Sequence, residues 1–138
     1  MLTGLWTIGV KVSDLERELA FHRAMGNEIV LDETVEFEGQ PYRIPLVKMG
    51  DKYLHLTEQL VYERRLGESR PVGSTHMVYI SNDFDNDVAK TLASGAVELA
   101  PVSQVSAGFG ERRIAFFRAP GGWIFEIIDV IRNLVPEV

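Results

Sequence analysis

Thr7-Ile8-Gly9-Val10-Lys11-Val12-Ser13-Asp14 recurs near the middle of the chain as His76-Met77-Val78-Tyr79-Ile80-Ser81-Asn82-Asp83. Each stretch alternates like a strand and then runs into a Ser, Asn or Asp that can open a helix. Working outward, Arg43-Ile44-Pro45-Leu46-Val47-Lys48 is matched by Arg113-Ile114-Ala115-Phe116-Phe117-Arg118. Tyr53-Leu54-His55-Leu56 is matched by Ile124-Phe125-Glu126-Ile127. The matches are separated by about half of the 138-residue chain, so the sequence reads as two copies of one module. The copies differ at two pairs of equivalent positions, Thr7 with His76 and His55 with Glu126. Three of those four residues are good metal ligands.

The elements follow the same order in each copy. Residues 6–12 read as a strand, and Ser13 or Asp14 caps a helix running to about Met25. Leu15, Leu19 and Ala20 supply its buried stripe, and Gly26 ends it. Residues 28–37 and 41–48 read as two strands around the turn Glu38-Gly39-Gln40, and residues 52–58 as another. In the second copy, 75–81 is a strand and Asn82 or Asp83 opens a helix to about Ser94, ended by Gly95. Residues 96–102, 112–118 and 123–130 read as strands, the last two joined at Pro120-Gly121-Gly122. Each half is βαβββ. The expected fold is α+β, a single domain of two modules at about residues 5–58 and 74–131. Residues 59–73 read as a surface connector with one helical turn, and Gln104 to Gly110 as a mobile loop.

Composition excludes several classes of function. A net charge of −6 disfavours nucleic acid, whose phosphates need a basic surface. No stretch approaches the roughly 20 apolar residues of a membrane span, and no signal peptide is evident at Met1-Leu2-Thr3-Gly4-Leu5. The chain has no cysteine, so thiolate metal sites and disulfides are excluded, and a cytoplasmic location is expected. Any metal must be held by His, Asp, Glu or water.

Strand periodicity sorts the side chains by face. Thr7, Gly9 and Lys11 share one face of the first strand, with Trp6, Ile8, Val10 and Val12 on the other. Tyr53, His55 and Thr57 oppose Leu54 and Leu56. His76, Val78 and Ile80 oppose Met77 and Tyr79, while Ile124, Glu126 and Ile128 oppose Trp123, Phe125 and Ile127. His55, His76 and Glu126 therefore all belong to the sheet face turned away from the helices. A carboxylate in the apolar run Phe125-Glu126-Ile127-Ile128 needs a partner. Two imidazoles and a carboxylate suit Fe(II), Mn(II), Ni(II), Co(II) or Zn(II). Trp6 and Trp123 are assigned to the helix-facing core, His22 to a structural or solvated role, and Arg112 and Arg113 to surface charge. Lys11 is a candidate for binding an anionic substrate group or pairing a carboxylate. Tyr53, on the face of His55, is a candidate catalytic side chain.

The βαβββ repeat, the stretch from Val12-Ser13-Asp14-Leu15 to Phe21 and the ending Phe116-Phe117-Arg118-Ala119-Pro120-Gly121-Gly122-Trp123-Ile124-Phe125-Glu126 resemble the vicinal oxygen chelate superfamily. That group includes glyoxalase I, methylmalonyl-CoA epimerase, extradiol dioxygenases, and fosfomycin-resistance and bleomycin-binding proteins. The resemblance covers essentially the whole chain and implies a curved mixed sheet forming a cup, with helices outside. It implies ligands from the first and last strands of each module, here Thr7, His55, His76 and Glu126. His76 and Glu126 match the family's residue types, and His55 stands where the family often has Glu or Gln. Thr7 departs from the usual His or Gln. The expectation is a three-ligand divalent transition-metal site at His55, His76 and Glu126, with Thr7 a pocket wall or water-holder.

The reaction implied is metal-assisted chemistry on a small oxygenated molecule that chelates through two neighbouring oxygens, with Glu126 able to move a proton. Lyase or isomerase chemistry is narrowly preferred. An extradiol-type Fe(II) dioxygenase is the alternative, and a metal-free antibiotic-binding protein is a third reading. The resemblance also implies a homodimer.

Overall fold

The computed structural model describes residues 1–137. The first module runs β1 (Leu2–Lys11), α1 (Leu15–Ala24), β2 (Glu28–Leu31), β3 (Thr34–Phe37), β4 (Gln40–Arg43), β5 (Leu46–Met49) and β6 (Lys52–Thr57). A short α2 (Glu63–Leu66) lies in the connector. The second module runs β7 (Gly73–Ser81), α3 (Phe84–Ala93), β8 (Val97–Glu98), β9 (Ser103–Ala107), β10 (Gly110–Arg118) and β11 (Ile124–Asn133). The fold is α+β, and the two copies fuse into one nine-stranded mixed sheet in the order β2-β5-β6-β1-β7-β11-β10-β8, with β9 beside β10. The seam is the antiparallel pairing of the two first strands, β1 with β7. Each first strand also pairs in parallel with the last strand of its own module, β1 with β6 and β7 with β11. Among the described residues, no helix is long and apolar enough to cross a membrane.

Both long helices lie on one face of the sheet. Asp14 caps α1, its side chain accepting from the Arg17 amide at 3.1 Å, and Glu16 and Glu18 complement the positive end of the helix. The buried stripe is Leu15, Leu19 and His22; Ala20 is exposed. The spacing puts His22, not Ala20, one turn beyond Leu19 on the sheet side, and its ring is tied to Asn27 at 3.1 Å. Leu15 and Leu19 pack on Val12, Val47 and Leu56. In the second module Phe84 of α3 packs on Ala115, Phe117, Phe125 and Ile127.

Residues 28–37 are not one strand. The chain leaves the sheet after β2, runs through the hairpin β3–β4 as a separate two-stranded ribbon, and re-enters at Pro45. Arg43 pins the exit by a forked pair of hydrogen bonds to Asp32, at 2.9 and 2.7 Å, and also pairs with Glu16. The hairpin turn is at Glu38-Gly39, both with positive φ (50° and 76°), as expected of a two-residue hairpin loop. The ribbon covers part of the concave face through Phe37, which meets Phe116 edge-on with centroids 6.2 Å apart.

The stretch from Gln104, read as a mobile loop, is largely strand: β9 pairs with β10 from Ala107–Gly110 to Ser103–Ile114. The amide of Gly108 in its turn donates to both Glu33 oxygens, at 3.0 and 2.9 Å, joining the second module to the first. Only two residues of 96–102 are strand, because Pro101 offers no amide to continue the ladder. The connector is not a surface segment throughout, since Leu60, Tyr62 and Glu63 are buried.

Candidate active site

The concave face, the β3–β4 ribbon, residues 59–61 and the β9–β10 arm enclose a mostly apolar cavity of about 90 Å³. Its polar lining includes Glu36, His55, His76, Arg112 and Glu126, set among Trp6, Phe37, Phe109, Ile114, Phe116 and Ile128.

Gly9 organises the centre. On β1 it is paired with His55 of β6 on one side and with His76 of β7 on the other. The two imidazoles thus flank one glycine on one face of one sheet, within a single chain. A Cβ at Gly9 would meet His76 Nδ1 at 2.6 Å and Nε2 at 2.8 Å, so the His76 ring occupies the space a side chain would need.

His76 is held by its Nδ1, which lies 3.1 Å from Thr75 Oγ1 and 3.1 Å from the Tyr62 hydroxyl. Thr75 donates its one hydroxyl proton to the Gly9 carbonyl at 2.8 Å. The Nδ1 edge of the ring is thus taken up by these two hydroxyls, and the Nε2 edge is turned toward Glu126. Burial pushes the Tyr62 phenol up to about 12, so it remains a protonated orienting group.

Nε2 of His76 faces Glu126 Oε2 at 3.6 Å. That is too long for a hydrogen bond. It is close to the edge of a coordination polyhedron, roughly 3–3.5 Å for ligand distances of about 2.1 Å. His55 adds an orphan: its Nε2 is buried without a hydrogen-bond partner. Burial, then the neighbouring His76 and Arg112, push its pKa down to about 3, so the ring is neutral and one of its two nitrogens carries a lone pair. Among the described residues no three His, Asp or Glu side chains converge at metal-ligand spacing. What the fold provides is a His76–Glu126 pair and an unpartnered imidazole in the same cavity. This donor chemistry fits a divalent transition metal.

The other sequence candidates sit elsewhere. Thr7 is fully buried on β1 with its hydroxyl unpartnered, and it does not line the cavity. Lys11 is not open to a substrate. Its Nζ pairs with Glu63 at 2.7 Å and donates to Ser69 at 2.8 Å, closing the connector onto β1. Burial pulls the Glu63 carboxyl upward but is outweighed by Lys11 and by the amides of Leu60 and Arg70, so its pKa is lowered. The Tyr53 hydroxyl donates to the Pro136 carbonyl at 2.6 Å, and the ring is buried outside the cavity.

Two assignments are reversed. Trp6 belongs to the cavity rather than to the helix-facing core, because a bulge between Leu5 and Thr7 adds a residue to β1 and rotates its side chain. Its ring meets His55 edge-on at 5.5 Å. Arg112 is not surface charge: it is 1% exposed and lies over the Trp6 ring at 4.7 Å. It alternates with Ile114 and Phe116 on β10, which puts all three on the cavity face. Glu36, Tyr62 and Thr75 were not singled out by sequence; nothing in their local pattern distinguishes them from ordinary strand and connector residues.

No protein-family model and no curated protein matches the chain. Solved structures do. A Streptomyces coelicolor methylmalonyl-CoA epimerase in complex with 2-nitronate-propionyl-CoA is 25% identical, covering 96% of this chain and 100% of that one, with a TM-score of 0.72. A methylmalonyl-CoA epimerase in complex with methylmalonyl-CoA and NH4+ has the same identity and TM-score over 99% of this chain and 100% of that one. The Mycobacterium tuberculosis methylmalonyl-CoA epimerase, at 20% identity over 93% and 88%, has a TM-score of 0.68 and speaks for the fold alone.

Proposed function

We propose that this chain, which belongs by its fold to the vicinal oxygen chelate superfamily, is a metal-dependent isomerase or lyase acting on a small oxygenated group. The observation that carries the reading is His76 Nε2 facing Glu126 Oε2 across 3.6 Å, with the buried His55 Nε2 unpartnered in the same cavity. His76 and Glu126 would hold the metal, with His55 the further donor in the same cavity; when bound, the metal would supply a Lewis acid for a carbonyl and its neighbouring oxygen.

The chain's own residues supply the rest. Thr75 and Tyr62 hold the His76 ring at Nδ1. Phe116, Ile114 and Ile128 keep water from the reacting carbon and strengthen the field of the polar groups. The Glu126 carboxylate is the proton acceptor nearest the metal donors. A carboxylate beside the metal donors suits removal of a proton from a carbon and its return, which favours an isomerase or lyase over a dioxygenase. A cavity of about 90 Å³ admits a small acyl head, with any large carrier left outside. The epimerases it resembles carry CoA thioesters in their complexes, and we extend a thioester of that kind to this chain as the first substrate to test. A homodimer belongs to the same reading.

The test is metal content followed by proton exchange. Protein purified without a metal-binding tag should retain about one transition ion per chain, and Glu126→Gln and His76→Ala should each release it. With Co(II), Mn(II), Ni(II), Zn(II) or Fe(II), methylmalonyl-CoA in D2O should lose its α-hydrogen signal. Absence of stoichiometric metal with unchanged ligand binding would favour the metal-free binding protein. Oxygen uptake with catechols would favour the dioxygenase.

A further inference from the structure

Arg112 is a buried cation with no carboxylate partner among the described residues. Its Nη1 donates to the carbonyls of Arg132 at 2.6 Å and Glu111 at 3.2 Å, and its Nη2 to Asn133 Oδ1 at 2.9 Å. Its Nε is buried with no partner. Among the described residues no acid pairs with it, although every other Arg that reaches a carboxylate does so near the surface. The guanidinium lies between aromatic faces, 4.7 Å from the centre of Trp6 and 5.2 Å from that of Phe109, and it lines the cavity. A buried full charge is retained against a large loss of hydration, and aromatic faces and carbonyl dipoles neutralise it only in part.

The charge sits at a distinct place in the cavity. Glu126 is in register with Phe116 on β10, and Arg112 is four residues further along that strand, roughly 13 Å of backbone. The cavity therefore has a carboxylate–imidazole pole and a guanidinium pole joined by an apolar wall. A guanidinium in this setting is weakly hydrated, always charged and shaped for planar oxyanions.

We propose that Arg112 is the specificity-determining residue of the site and selects a ligand bearing a carboxylate or an equivalent planar oxyanion. The proposal takes the cavity of the proposed active site as its premise, but it does not need the metal. The competing assignment is a structural staple, in which Arg112 only ties β10 to the C-terminal end of β11.

The experiment uses the metal-free full chain with Trp123→Phe, which leaves Trp6, stacked on Arg112, as the only tryptophan. Malonate is the probe and malonamide its neutral counterpart, both at constant ionic strength. Malonate should change Trp6 emission saturably in the millimolar range, and malonamide should bind at least tenfold more weakly. Arg112→Gln, which keeps hydrogen-bond donors but loses the charge, should weaken malonate at least tenfold, and Arg112→Lys should retain part of the binding. If Arg112→Gln does not fold, the discrimination between malonate and malonamide by the otherwise native chain decides. Equal binding of the two probes, no saturable malonate signal, or an Arg112→Gln variant that melts lower yet binds malonate within twofold would overturn the proposal. Metal content is read separately, so failure of the enzyme reading and failure of this one are distinguishable.

Discussion

Substituting Gly9 by alanine tests the centre of the site with one methyl group. The added Cβ would lie 2.6 Å from His76 Nδ1 and 2.8 Å from Nε2, against 3.4 Å for the lower edge of ordinary contact. The backbone at Gly9 is strand in hydrogen-bonded register on both sides, so β1 cannot retreat without breaking two ladders. The ring must therefore shift by about 1 Å, a typical overpacking strain of about 1–3 kcal/mol. A shift of that size removes Nδ1 from both Thr75 and Tyr62, each hydrogen bond contributing about 1 kcal/mol. Together these amount to about 3–5 kcal/mol, and melting should fall by roughly 10–17 °C for a chain of this size. Retention of metal should fall about 10–100-fold, as for loss of outer partners of a ligating histidine. Gly4→Ala on the same strand is the control, since a Cβ there meets nothing within 4 Å. Calorimetric melting and titration with Co(II) read both effects. If Gly9→Ala melts within 0.5 kcal/mol of Gly4→Ala and holds Co(II) equally well, the packing argument is wrong.

Three further outcomes are expected. Thr75→Val removes an oxygen that holds the Nδ1 edge of His76 and should weaken metal retention about tenfold with little change in melting; equal loss of both would mark Thr75 as merely structural. Lys11→Met leaves the buried Glu63 carboxylate unpaired and should cost about 3 kcal/mol in urea unfolding, most of it recovered by Lys11→Met with Glu63→Gln; an unrecovered loss would refute the pairing. Because the Glu63 carboxyl is lowered in the fold, its contribution is present above its unfolded value of 4.5 and is lost as pH falls through the lower folded value. Glu63→Gln should therefore flatten the stability curve below pH 4.5, and an unchanged acid limb would refute that assignment.

The duplication, the order of elements in each half and the faces of β6, β7 and β11 were legible in the sequence because period-two alternation survives wherever strands stay regular. The misreadings fall where regularity breaks or where partners are distant. Trp6 is the extra residue of a bulge on β1 and turns to the cavity with Gly9, whereas Arg112 keeps the alternation of Ile114 and Phe116, and its partners, the Arg132 carbonyl and Asn133, lie on another strand. The β3–β4 ribbon was merged with its neighbours because its departure from the sheet is set by a long-range fork between Arg43 and Asp32. Lys11 and Tyr53 were placed on the correct strands, yet their partners, Glu63 and the Pro136 carbonyl, lie far off in sequence. Tyr62, in a connector with no periodicity, reaches His76 only because the connector folds back over the cup.

The pairing of β1 with β7 has a consequence for how the chain can be divided. His55 and Tyr62 precede the exposed Gly67, and His76, Arg112 and Glu126 follow it, while Gly9 lies at the seam between them. Neither half owns a site. A chain cut after Gly67 and expressed as two fragments should behave as a complementation pair: each fragment alone has an open sheet edge and no donor pair facing an orphan imidazole, and mixing restores both at once. Recovery of metal retention would then count reassembled molecules, giving a direct readout of how strongly two ancestral copies still recognise one another.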